Sequence, residues 1–258
     1  MQTLPLTILN GAPRISIHAD RALMGAAAAG HVVEKLELIL SEKKVARVVF
    51  ACAPSQNDFL EALLQLSSGR VDWSRVTAFH MDEYVGLGAS HPASFRHYLR
   101  EHLLSHVPMG QFHPILGEAP DMELECKRYA GLIDAEPLDL ICLGIGENGH
   151  LAFNDPPVAD FEDTASAKVV ELDAPCRQQQ VHDGCFPRFE DVPKHAITLT
   201  LPVFRRARFL SVVVPGVRKA TAVRAACMGP VSTECPASLL RTREDVTLFL
   251  DRASAEGL

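Results

Sequence analysis

At 258 residues, 47% of them apolar, the chain is long enough for one large α/β domain and too apolar to be globally disordered. A formal charge of −7 argues against broad contact with nucleic acid or an acidic membrane surface, while leaving room for a local basic pocket that takes a small anion.

The N-terminal stretch "MQTLPLTILNGAPRISIHAD" lacks a basic segment followed by a long apolar run, so no secretory signal is expected. A helix is predicted over Arg21–Leu40, where "ALMGAAAAGHVVEKLELIL" keeps its apolar positions on one face. Next come a strand over Ala46–Ala53, a helix over Asp58–Leu66, a strand over Val76–Met81 and a helix over Ser94–His106. A helix over Glu123–Ala135 and strands over Leu138–Gly144 and Lys168–Leu172 follow. Strands over Phe209–Val214 and Val246–Leu250 flank a last helix that begins near Arg218. "RVVFACA" and "LDLICLGI" are apolar almost throughout, as strands are when helices cover both faces of a parallel sheet. The expected fold is therefore α/β: a single doubly wound, mostly parallel sheet with helices on both faces, spanning residues 1–258. No apolar run reaches bilayer length. The seven cysteines are scattered without a C-x-x-C pair, which fits reduced thiols in a cytoplasmic protein.

Ligands of such sheets bind beyond the carboxyl ends of the strands, which directs attention to three loops. They are "ACAPSQNDF" (51–59), "FHMDEYVGL" (79–87) and "GIGENGHLAFNDPP" (144–157). The third contains Gly144-x-Gly146-x-x-Gly149, the spacing of a dinucleotide-binding turn. "HLAFNDPP" puts two prolines where that turn needs a helix, so no nucleotide cofactor is expected. What remains is a glycine loop presenting His150, Asn154 and Asp155, a histidine that can move protons beside a carboxylate that can orient it. In the second loop, Asp82 and Glu83 alternate along an extended segment, so one can face a cleft while the other is held by local structure. A carboxylate base suits removal of a proton α to a carbonyl or imine. "DAPCRQQQVHDGCF" reads as a polar helix, either solvated or part of a lid at about 157–190. His182 and Cys185 lack the further ligands that a metal site needs.

Read together, Met81–Leu87 (MDEYVGL), "HPASF" (91–95), Gly144–Pro156, "VPKHAITLT" (192–200) and "VPGVRKA" (214–220) resemble the glucosamine-6-phosphate deaminase (isomerase) family, which shares its fold with the 6-phosphogluconolactonases. The resemblance implies a Rossmann-like three-layer fold and conversion of an amino-sugar phosphate to the ketose phosphate with loss of ammonia, without metal or redox cofactor. It implies Asp82 as the base that moves a proton from C2 to C1. His150 would open the sugar ring, with Asp155 and Asn148 on its relay; Asn148 stands where an acid is common. It places Ser55, Gln56, Asn57 and Asp58 at the phosphate turn, with Asp58 either facing the anion or capping the following helix. Lys219 matches the phosphate lysine, and Arg177 or His182 the lid cation. Glu83, Gly146 and Gly149 complete the substrate-binding set. A sugar-lactone hydrolase and a non-catalytic sugar-phosphate sensor are the rival readings. The partner expected is a small sugar phosphate or related sugar, and a homo-oligomer is compatible with the sequence.

Overall fold

The computed structural model describes residues 13–258, so residues 1–12 of the stretch read for a secretory signal lie outside the described residues. The first half of the chain runs β1 (Arg14–His18), α1 (Arg21–Glu42), β2 (Ala46–Phe50), α2 (Asn57–Ser67), β3 (Val76–His80), β4 (Asp82–Tyr84), α3 (Phe95–Leu99), β5 (Gln111–His113), α4 (Met122–Asp134) and β6 (Leu140–Leu143). The second half runs β7 (Ala167–Glu171), α5 (Ala174–His182), β8 (His195–Leu199), α6 (Leu201–Arg206), β9 (Phe209–Val214), α7 (Ala220–Met228) and β10 (Val246–Asp251).

Seven strands form one sheet in the order β1-β10-β9-β6-β2-β3-β5, and every pairing in it is parallel. Its central strands are buried on both sides because successive side chains feed two separate cores. Val48 and Phe50 of β2 join α1, α2 and α3 on one face, whereas Val49 points into the core formed with α4, α6 and α7. Leu140 and Cys142 of β6 divide from Ile141 and Leu143 in the same way. This is the doubly wound α/β fold expected from the sequence.

Two expectations are corrected. The Lys168–Leu172 strand does not join the main sheet: β7 pairs antiparallel with β8, which pairs antiparallel with β4, in a separate three-stranded sheet. In "AKVVE" Val169 and Glu171 are exposed, so this strand lacks the two-sided burial of the central main-sheet strands, as an antiparallel strand with one solvated face does. The Ser94–His106 helix is α-helical only to Leu99 and then widens into a π turn over Arg100–Leu104. No helix among the described residues is long and apolar enough to cross a membrane.

Candidate active site

The strand order reverses between β2 and β6: from β2 the chain moves outward to β3 and β5, then returns to β6 and builds toward β9 and β10. At such a switch point the loops beyond adjacent strand ends diverge and leave a crevice. The three loops singled out from the sequence meet there. One cleft is lined by Ser55 and Gln56 after β2, Asp82 after β3, Gly146 and His150 after β6, and Lys219 after β9.

Asp82 and Glu83 part company as the extended backbone requires. Asp82 lines the cleft and is 7% exposed. Burial, and next the charges of Glu83 and Asp155, push its carboxyl well above the ordinary range, which gives a carboxylate that holds protons strongly. Glu83 is not in the cleft. Fully buried, it accepts hydrogen bonds from Ser94 Oγ (2.8 Å), the amides of Phe95 (3.1 Å) and Arg96 (3.2 Å), and Arg96 Nε (3.1 Å). It caps the N-terminus of α3, a task its own segment leaves undone because Ser94 makes no capping bond. Glu83→Gln is expected to destabilise the fold by about 2 kcal/mol, read as a lowered denaturation midpoint, because it weakens the charged bonds to the α3 start and leaves the buried Arg96 paired with Glu118 alone.

The glycine loop places His150 Nδ1 2.7 Å from Asp155 Oδ1. The carboxylate lies off the axis of the ring N–H, so the contact is short but bent. Burial alone would raise the Asp155 carboxyl; the His150 charge, with the bond from Asn148 adding to it, outweighs that, and its pKa lies below the usual value. Asn148 does not bond the imidazole. Its Nδ2 donates to Asp155 Oδ1 (2.9 Å) and its Oδ1 accepts from the His150 amide (3.1 Å), so it locks both ends of the relay through backbone and carboxylate. Asn154 is structural: its Nδ2 donates to the carbonyls of Leu151 and Leu199. Ala152, which lines the cleft, holds a left-handed φ of 51°, uncommon for a residue with a side chain and concentrated at functional turns.

Two glycines make the loop possible. Gly149 has φ +86°, and a Cβ on Gly146 would fall 2.3 Å from the imidazole of His150. Gly146→Ala is therefore expected to displace the ring and lower turnover by about a hundredfold, a loss of positioning that steady-state kinetics on the folded variant measures.

The turn after β2 also differs from expectation. Asp58 neither faces the cleft nor caps α2; its Oδ2 accepts from both Nε (2.9 Å) and Nη2 (2.7 Å) of Arg21 at the start of α1, an ion pair that offsets its charge. Asn57 accepts from the Tyr98 hydroxyl at 2.7 Å, and Gln56 is buried with its amide on the Val213 carbonyl (3.3 Å). Ser55 lines both the cleft and an adjoining outer pocket that contains Arg21, His182, Arg218 and Lys219. Lys219 is 6% exposed, and burial lowers its pKa against the opposing charges of Asp183 and Glu147. Arg177 is excluded: its guanidinium bonds the carbonyls of Phe189 and Val192 (both 2.9 Å) and stacks on the Phe189 ring. His182 is the α5 side chain that reaches the outer pocket, with Nδ1 3.5 Å from Glu147.

Sequence reasoning missed the other α5 residues of the cleft. Gln179 accepts from the Glu147 amide (2.7 Å), Gln180 accepts from the Tyr84 hydroxyl (2.6 Å), and Asp183 lines the cleft beside them. A run of glutamines on a polar helix gives no periodic signal that separates a buried face from a solvated one. Among the described residues, His150, Asp155 and Cys176 form a group with metal-ligand chemistry. The His150 and Asp155 atoms are already 2.7 Å apart, closer than the roughly 3.4 Å that tetrahedral bonds of about 2.1 Å impose.

A parallel α/β sheet with a buried carboxylate, a histidine–aspartate relay and a lysine around its switch point defines a class of small-molecule enzymes with acid–base chemistry. The model of the glucosamine-6-phosphate isomerases/6-phosphogluconolactonase family matches residues 19–249, and the chain belongs to this family. A glucosamine-6-phosphate deaminase of Bacillus cereus (strain G9842) is 39% identical over 188 residues, covering 73% of this chain and 70% of that protein. The solved structure of a monomeric glucosamine-6-phosphate deaminase of the NagB superfamily superposes with a TM-score of 0.88 at 28% identity, over 95% of this chain and 100% of the other. The 6-phosphogluconolactonase of Trypanosoma brucei shares the fold, with a TM-score of 0.76 at 21% identity over 96% and 100% of the two chains.

Proposed function

We propose that the protein is an amino-sugar phosphate deaminase-isomerase that converts glucosamine 6-phosphate, or a close relative, to the ketose phosphate and ammonia. The observation that carries this reading is Asp82, a proton-retaining carboxylate in the same cleft as His150 of the relay and Lys219. His150 moves the proton between ring oxygen and anomeric hydroxyl as the pyranose opens, while Asp155 and Asn148 hold it in place. Asp82 takes the proton from C2 of the open chain and returns it to C1. The resulting 2-imine adds water and expels ammonia, leaving the ketose. Lys219, Ser55 and His182 take the phosphate, with Arg21 cancelling Asp58 nearby. Residues 157–190 form a lid whose helix α5 closes the cleft through Gln179 and Gln180.

The charges support the same substrate: the Asp82 carboxyl in the cleft suits its ammonium, and Arg21, Arg218 and Lys219 of the adjoining pocket, against Glu147 and Asp183, suit its phosphate. Incubation with glucosamine 6-phosphate, galactosamine 6-phosphate and the unphosphorylated sugars, with ammonia and ketose measured together, tests the reading. Equimolar ammonia and ketose from a phosphorylated amino sugar is the expected result; no ammonia from any of them overturns it.

A further inference from the structure

The relay contains one acceptor that its known partners leave unused. Asp155 Oδ1 receives Asn148 Nδ2 and faces His150 Nδ1, whereas Oδ2 is buried without a hydrogen-bond partner among the described residues. A carboxylate oxygen without a donor is costly away from water and free to rotate out of line with its histidine. In the first turn of α5, Cys176 is 1% exposed. Its Sγ, a ring nitrogen of His150 and an Asp155 carboxylate oxygen all lie within 4.8 Å of one another. The Cys176 amide donates to Asp173 Oδ1 at 2.8 Å, which pins this turn beside the relay.

We infer that Cys176 is a positioning residue of the reaction: its S–H is the donor for Asp155 Oδ2 and keeps Oδ1 aimed at His150 Nδ1. The thiol stays protonated, because burial and then the charge of Asp155 push its pKa well above the ordinary value. It therefore donates and does not act as a nucleophile. α5 contributes to the site at both ends, with Cys176 on the relay and His182 at the outer pocket. The consequence for turnover rests on the deaminase reading; the contact itself does not.

The test compares wild type with Cys176→Ala and Cys176→Ser. The His150 Nδ1 proton is followed by its downfield NMR resonance, assigned by its loss in His150→Gln. Without that donor Oδ1 swings out of line with the imidazole, and in Cys176→Ala the resonance moves upfield. A hydroxyl also donates, so Cys176→Ser holds it near its wild-type position. In ammonia release, kcat of Cys176→Ala falls about tenfold with KM within about twofold, and Cys176→Ser recovers most of it. A resonance at its wild-type position in Cys176→Ala overturns the inference, even where the variant melts at lower temperature. Should Cys176→Ala fail to fold, Cys176→Val, which lacks the donor at about the same size, takes its place with the same expected upfield shift. That upfield shift in a protein that releases no ammonia leaves the inference standing and overturns the deaminase reading.

Discussion

Asp82→Asn is expected to lower kcat for ammonia release by about a thousandfold while raising the melting temperature at neutral pH. Both effects have one cause. The Asp82 carboxyl is buried, and burial with the Glu83 and Asp155 charges raises its folded pKa above the unfolded value. A group raised in this way stabilises the fold fully below its unfolded pKa, and that stabilisation is lost as pH rises through the folded pKa. At neutral pH the ionised form is therefore a burden on the fold that asparagine removes, at the same size and without the proton-accepting oxygen. Turnover has the opposite dependence. The base must be ionised, so kcat/KM falls as pH drops through the raised pKa, and the acid limb lies above that of an ordinary aspartate. A variant that keeps more than about a tenth of wild-type ammonia release shows that another group takes the C2 proton. A sugar-lactone hydrolase that relies on His150 to activate water would be spared by the same change.

The layering of the fold was legible in the sequence because β2, apart from Arg47, and β6 are apolar throughout, the pattern of strands in a sheet covered on both faces. The parting of Asp82 from Glu83 followed from strand alternation, but not the use made of Glu83, whose partners Ser94 and Arg96 come from a helix start eleven and thirteen residues on. Asp58 shows the same limit. Next to an expected phosphate turn it reads as a repulsive charge or a cap, and the residue that cancels it, Arg21, lies 37 positions away. Arg177 was chosen by chemistry, yet a guanidinium with five donors is as readily consumed by the backbone carbonyls of Phe189 and Val192 as by a ligand. Local pattern identified which loops carry the site. Which side chain in each loop is already occupied depends on long-range partners, and no spacing within the loop reveals them.

The second large effect is expected at Lys219. Lys219→Met should raise KM for glucosamine 6-phosphate by about a hundredfold or more, with KM for any unphosphorylated amino sugar that is turned over staying within about twofold. Lys219 follows the β9 loop, 6% exposed, and among the described residues its ammonium has no ion-pair partner within 4.0 Å. Asp183 and Glu147 are near enough to raise its pKa, but burial dominates and lowers it. An ammonium held without a partner costs the folded state and is stabilised when a phosphate dianion arrives, so its charge contributes to binding more than to folding. The sign of the stability term follows: with a folded pKa below the unfolded one, the lysine's contribution improves as pH rises, and methionine should melt slightly higher at neutral pH. Phosphate affinity moves the other way, weakening as pH rises through the lowered ammonium pKa, earlier than an ordinary lysine would allow. Arg218 and His182 share the outer pocket and leave residual binding in the variant. Equal losses for phosphorylated and unphosphorylated sugars would place Lys219 in the chemical step and leave the phosphate to those two residues.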